Sequence, residues 1–116
     1  MQVVRVYTGE DGESHFEDLE LPYEQMAMFE LTTIQAATGI QFRRVASGTL
    51  SDWHTAPRRQ YVITLEGQME IGLGDGSKRI FNPGDVLLAD DQTGRGHTTR
   101  VAGSKSRVSI AIPLVD

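Results

Sequence analysis

The stretch Gly48-Thr-Leu-Ser-Asp-Trp-His54-Thr-Ala56-Pro-Arg58-Arg59-Gln60-Tyr-Val-Ile-Thr-Leu-Glu-Gly67 decides the fold of this chain. It sets the single Trp, one of three His and an Arg pair just ahead of Gln60-Tyr-Val-Ile-Thr-Leu65, the clearest β-prone run in the sequence. It opens and closes on Gly, with five residues between Gly48 and His54 and six between Gln60 and Gly67.

Downstream, Met69-Glu-Ile-Gly-Leu73 alternates as a strand, and Gly74-Asp-Gly-Ser77 reads as a hairpin turn. The glycines at 72, 74 and 76 open no helix, so they lack the N-terminal amides of a phosphate loop. Asn82-Pro-Gly-Asp85 is a further turn, and Val86-Leu-Leu-Ala89 suits a strand covered on both faces. Asp90 to Gly96 is a polar loop. His97 to Val101 and Arg107 to Ile112 then return as strands. Upstream, Gln41 to Ala46 reads as a strand that must send Arg43 and Arg44 to opposite faces. Many short strands punctuated by Gly and Pro predict an all-β sandwich or barrel.

The first 40 residues are different in character. They carry eight acids and one base, net −7, whereas residues 41–116 carry eight acids and ten bases, net +2. Val3 to Tyr7 reads as a strand. Glu10 to Glu20 is expected to be a solvated arm across the barrel, by the usual behaviour of charge runs. Between Tyr23 and Ala37 helix propensity competes with later β-branched alternation, and a strand from about Ala27 to Ile34 is expected.

A chain of 116 residues holds one core. A sequence pI of about 5.1 and the lack of a basic stripe argue against nucleic-acid binding. No apolar run approaches the roughly 18 residues that span a bilayer, so no membrane role is expected. The first residues do not resemble a secretory signal, and a cytoplasmic protein is expected. With no Cys there is no disulfide framework and no thiolate chemistry.

The spacing around His54 resembles the first motif of the cupins, G-x5-H-x-H-x3,4-E-x6-G. Gly48, His54 and Gly67 match; Ala56 stands at the second His and Gln60 at the Glu. The second cupin motif, G-x5-P-x-G-x2-H-x3-N, begins at Gly84. Asp90 and Gln92 replace its Pro and Gly, and His97 falls two residues late, after an expanded loop. The resemblance covers roughly residues 40–113. It implies an all-β, jelly-roll-like cupin barrel, with residues 1–39 as an acidic N-terminal arm and first strands and residues 40–116 as the barrel, one domain overall. Together with the arm, it implies a homodimer.

The family spans dioxygenases, isomerases, epimerases, lyases, sugar-binding regulators and storage proteins, so the fold does not transfer a function. By position, His54, Gln60 and His97 would hold one divalent metal ion (Fe, Mn, Ni or Zn), with Asp90, Asp91 or His15 completing the set. Without a metal, the same His54 and His97 are acid/base residues, tuned by Asp52 and by Asp90 or Asp91. Metal-free cupin epimerases add a Tyr acid, but Tyr61 should face away from Gln60. Arg58, Arg59, Arg95 and Arg43 are candidate anchors for a carboxylate-bearing ligand, with Gln60 lining the site; the rival reading makes the arginines clamps for neighbouring Asp residues. The leading expectation is an isomerase- or lyase-type enzyme acting on a small anionic molecule. The alternatives are a metal-dependent oxygenase or hydrolase and a non-catalytic small-molecule-binding cupin.

Overall fold

Gln60–Glu66 forms β7, whose alternation sorts its side chains onto two faces. Gln60, Val62 and Thr64 are buried, while Tyr61 and Ile63 on the other face are only half-buried. The computed structural model describes all 116 residues as twelve strands without a helix. Before β7 come β1 (Val3–Thr8), β2 (Ser14–Asp18), β3 (Glu24–Met26), β4 (Phe29–Leu31), β5 (Gln41–Val45) and β6 (Leu50–His54). After it come β8 (Gln68–Gly72), β9 (Lys78–Phe81), β10 (Val86–Asp90), β11 (His97–Ala102) and β12 (Arg107–Pro113). No helix is long and apolar enough to cross a membrane.

Two sheets make the barrel. One has six strands in the order β2-β1-β10-β7-β12-β5, and the other has four in the order β6-β11-β8-β9. Only β1 and β10 pair in parallel. Val4, Val6 and Leu87 of the first sheet pack with Met69, Ile71 and Phe81 of the second in one core. Phe81, Ile71, Val4 and Val6 lose essentially all exposure. Each such side chain contributes roughly 1.5–3 kcal/mol of transfer free energy. Gly67 turns β7 into β8 at φ +73°, where a Cβ would press within 2.7 Å of the Ser106 carbonyl oxygen.

Two expectations are corrected. The segment Glu10 to Glu20 is not a solvated arm: Ser14–Asp18 is a strand at the edge of the six-stranded sheet, paired with β1. Ser14 is buried and Phe16 packs on the core, while Asp18 reaches outward to Arg79 at 2.6 Å. The period-two pattern lay beneath the charge. The first eighteen residues thus belong to the barrel, and the arm begins after them.

The strand expected from Ala27 to Ile34 is instead a hairpin. Glu24–Met26 pairs with Phe29–Leu31 across a turn in which Ala27 has φ +55°. Left-handed turns favour Gly or Asn, and neither marks this one. The hairpin pairs with neither barrel sheet.

Candidate functional site

A cavity of about 270 Å³ lies between the sheets. A water molecule's share of the liquid is about 30 Å³, so it suits a small metabolite rather than a large one. Val62, Met69, Ile71, Leu87 and Val101 make its walls largely apolar. His54, His97, Gln60, Arg43 and Arg107 supply its principal polar groups.

The two histidines arrive from neighbouring strands. β6 and β11 are antiparallel with His54 directly opposite His97, and the ring centroids are 4.5 Å apart at 61°. Gly96 makes this approach possible. It sits at φ +79°, and any Cβ there would collide with the His54 carbonyl oxygen.

Each imidazole is fixed through Nδ1. His54 Nδ1 is 2.6 Å from the Asp52 carbonyl oxygen, an acceptor only, so Nδ1 carries the proton. His97 Nδ1 is 2.6 Å from Asp91 Oδ2, and the Ser14 hydroxyl donates to the same oxygen at 2.6 Å. Asp91 is fully buried, and its main-chain carbonyl accepts from Ala56 N–H at 3.0 Å. With Nδ1 donating in both rings, the lone pairs sit on Nε2. Neither Nε2 has a hydrogen-bond partner within the chain.

A second polar group lies on the inner face of β12 and its neighbours. Arg107 is buried, with Nη2 donating to Thr64 Oγ1 at 3.2 Å and Nε unpartnered. No carboxylate pairs with it. Burial pushes its guanidinium down to about 10, and the charge of Arg43 pushes the same way. Gln60 Oε1 and Ser109 Oγ are also buried without partners.

The sequence candidates divide cleanly. His54, His97, Gln60 and Arg43 are brought together in the cavity. Arg44, the other member of its pair, is exposed. Arg58, Arg59 and Arg95 do not line the cavity. Arg58 is exposed; Arg59 lies 3.5 Å from Asp90 Oδ1. Arg95 stacks over Trp53 at 4.2 Å and reaches Glu13 at 3.2 Å. Local neighbourhood in sequence placed these three beside the histidines, but all three sit in loops, whose geometry carries them outside. Asp52 holds His54 through its carbonyl, while its carboxylate accepts from Trp53 N–H at 2.8 Å. Asp90 turns to Arg5 at 2.9 Å. His15 pairs with Asp11 at 3.0 Å on the exposed edge strand. Tyr23 is exposed, and no Tyr lines the cavity.

Arg107 was not among the sequence candidates. Its signal was the alternation of Arg107-Val-Ser-Ile-Ala-Ile112, which puts Arg107 on one face with Ser109 and Ala111. That face turns inward, and the β-branched face outward.

The donor set does not fit a divalent metal. His54 and His97 offer two imidazoles and Gln60 one amide oxygen, where first-row ions favour a third imidazole or a carboxylate. Ala56, at the missing His, is buried and fills its position with a methyl group. Asp91 Oδ2 is engaged by His97 and Ser14, its Oδ1 is buried without a partner but Asp91 does not line the cavity, and Asp90 pairs with arginines. The chain contains no group of three or more His, Cys, Asp or Glu side chains arranged to hold an ion. Two guanidinium groups in the same cavity add repulsion.

No family model and no curated protein matches the sequence. Solved structures do match the fold. A cupin 2 conserved barrel domain protein from Salinispora arenicola superposes with TM-score 0.55 at 21% identity, over 84% of this chain and 79% of that one. The Cnp3 cupin domain of Schizosaccharomyces pombe gives 0.51 at 9% identity, over 98% and 84%. Drosophila melanogaster CENP-C, crystallised bound to CAL1, gives 0.53 at 16% identity, over 80% and 79%. The chain has the all-β cupin fold, and at these identities the likeness speaks for the fold alone.

Proposed function

We propose that the protein binds a small anionic molecule in its barrel cavity and moves a proton on it, as an isomerase or lyase of the cytoplasm. The observation that carries this reading is the facing pair His54 and His97, each held by Nδ1 with Nε2 unengaged. His97 is the better-placed proton carrier, because the buried Asp91 carboxylate orients its ring, whereas His54 leans on a main-chain carbonyl. In the proposed step, His97 Nε2 takes a proton from a carbon next to a carbonyl. The C–H electron pair moves into that carbonyl. A proton returned at another position completes an isomerisation, and loss of a β-leaving group completes an elimination.

The test is solvent deuterium exchange into small oxo- and hydroxy-carboxylates, followed by proton NMR in D2O. Wild type should exchange a C–H, and His97→Gln should slow this by at least about 100-fold. Exchange at the wild-type rate in His97→Gln and His54→Gln would sink the reading. A non-catalytic binding cupin predicts ligand binding without exchange in any form.

A homodimer is proposed on separate grounds. The hairpin β3–β4 leaves Met26, Met28 and Phe29 exposed, and Ile34 just after it is 99% exposed. An isolated two-stranded hairpin is marginal in water, so it needs a surface to lie on. The same chain offers one. On the outer face of the six-stranded sheet, Ile110 lies opposite both Ile63 and Phe42, and Ile112 opposite Tyr61. Glu24 and Glu30 of the hairpin complement Arg44 on that face. A two-fold pair of chains lets each arm cover the other's sheet.

A further inference from the structure

We propose that Arg107 and Arg43 form a carboxylate-binding site in the barrel cavity, set apart from the histidines along β7, and that the ligand is a short-chain monocarboxylic acid. The proposal deepens the acid–base reading by naming its substrate class, and it rests on that reading only for the reaction and not for the binding.

The starting observation is a charge without a counter-ion. Arg107 is 6% exposed, yet its one hydrogen bond in the chain goes to a neutral hydroxyl, that of Thr64. Its Nε donor points at no acceptor. A buried cation left unpaired is strongly unfavourable, so sequences normally pair or remove one. Here the nearest charged influence is a second cation, Arg43, which makes the burial worse. Arg43 meets Ser109 across the β5–β12 pairing, and Ser109 meets Thr64 across the β12–β7 pairing. The unpartnered Ser109 hydroxyl therefore belongs to the same inner-face cluster. An anion supplies the partner that Arg107 Nε and Ser109 Oγ lack, while Arg43, whose Nε donates to Gln41 Oε1 at 2.8 Å, keeps its other N–H groups for the ligand.

The chemistry favours a carboxylate. A guanidinium presents two parallel N–H donors that match two carboxylate oxygens. The cavity of about 270 Å³ is small and its walls largely apolar, which suits one charged end on a short carbon chain. Position supports the pairing with the histidines. Gln60 lies across from Ala89, near the Asp91 end of β10, whereas Thr64, which the Arg107 guanidinium meets from β12, lies four residues further along β7. Four residues of strand span about 13 Å. The Arg107, Arg43, His54 and His97 side chains all reach into the one cavity and narrow that main-chain separation, so an acid anchored at Arg107 would point its carbon chain toward His97.

The test is isothermal titration calorimetry with acetate, propionate and pyruvate, beside acetamide, propionamide and inorganic phosphate. Wild type should bind at least one carboxylate, at least about tenfold more tightly than its amide, the factor expected from a charge-assisted hydrogen bond. Arg107→Met should weaken that binding at least about tenfold, and Arg107→Lys, which keeps the charge but not the fork, should fall between. Arg107→Met should also melt at or above the wild-type temperature, because a buried unpaired charge has been removed. No binding by any carboxylate, tighter binding of phosphate, unchanged affinity in Arg107→Met, or a lowered melting temperature in that variant would each overturn the proposal. His97→Gln separates the two ideas. Carboxylate binding retained with exchange lost supports both, and carboxylate binding by a wild type that exchanges no proton upholds this site while removing the catalytic reading.

Discussion

His97 Nδ1 sits 2.6 Å from Asp91 Oδ2, and the aspartate has no exposed surface. The pair is anchored from two directions, by the Ser14 hydroxyl on β2 and by the Ala56 amide beside the cavity. An orienting carboxylate behind an imidazole fixes the tautomer and stabilises the imidazolium that forms when Nε2 takes a proton. Asp91→Asn can offer its amide N–H to the ring and turn the tautomer round. Deuterium exchange by this variant is expected to fall by about 10²–10⁴-fold with carboxylate affinity nearly unchanged, measured by NMR and calorimetry on the same samples. Full exchange in Asp91→Asn would remove Asp91 from the mechanism.

Gly96 is the hinge of the histidine pair. Its φ of +79° is one that side chains rarely adopt, and a Cβ would strike the His54 carbonyl. Gly96→Ala should destabilise the fold by roughly 1–3 kcal/mol. It should also separate the two rings. Urea unfolding reads the first effect and imidazole NMR shifts read the second. Gly48→Ala gives a useful contrast: its φ is +81° with nothing near its Cβ, so it should carry the backbone strain without disturbing the histidines.

Acid should unfold the protein through carboxylates remote from the cavity. Burial alone would raise Asp85, but hydrogen bonds from Gln2 and Asn82 outweigh it and hold the carboxyl below its ordinary 3.8. The hydrogen bond from Arg79 holds Asp18 below the same value, and that from Arg100 holds Glu70 below 4.5. A carboxyl lower in the folded state binds fewer protons there than when unfolded, so its contribution is complete above the unfolded value and lost as pH falls through the folded one. The melting temperature should be flat between about pH 5 and pH 8 and drop below about pH 4. Asp85 accepts from Gln2 N at 2.8 Å and Asn82 N at 2.8 Å, tying the N-terminus to the β9–β10 turn. Asp85→Ala should cost about 2 kcal/mol at neutral pH, read by urea unfolding, and flatten the acid limb.

The dimer predicts a concentration-independent mass of two chains by sedimentation. Phe29→Glu on the hairpin or Phe42→Glu on the outer sheet face should yield monomers, because both side chains are exposed in the single chain and the proposed pairing would bury them. A wild-type monomer at micromolar concentration would defeat the proposal. Monomers from Phe29→Glu but not from Phe42→Glu would place the arm elsewhere than on the sheet.

The strands from Gln41 onward were legible because their signals are local. Alternation in Gln60 to Leu65, the turn residues at 74–77 and 82–85, and the Gly frame around His54 each act over a few residues. The hairpin at Ala27 and the edge strand at Ser14 were not. One turns on a residue that rarely takes a left-handed backbone, and the other hides its inward face among acids. Within the site, His54, His97 and Gln60 came from motif spacing, whereas Arg58, Arg59 and Arg95 were chosen for closeness in sequence, which does not decide where a loop side chain points.

By itself, then, the sequence determined an all-β barrel and the two histidines that face each other in it, since period-two alternation and turn chemistry are written residue by residue. Only the tertiary structure decided that Arg107 shares the cavity with them and that Ser14 steadies Asp91. Arg107 lies ten residues beyond His97 on another sheet, and Ser14 lies 77 residues before the aspartate it holds. Contacts of that kind depend on how two sheets close over one another, and no local pattern encodes that closure.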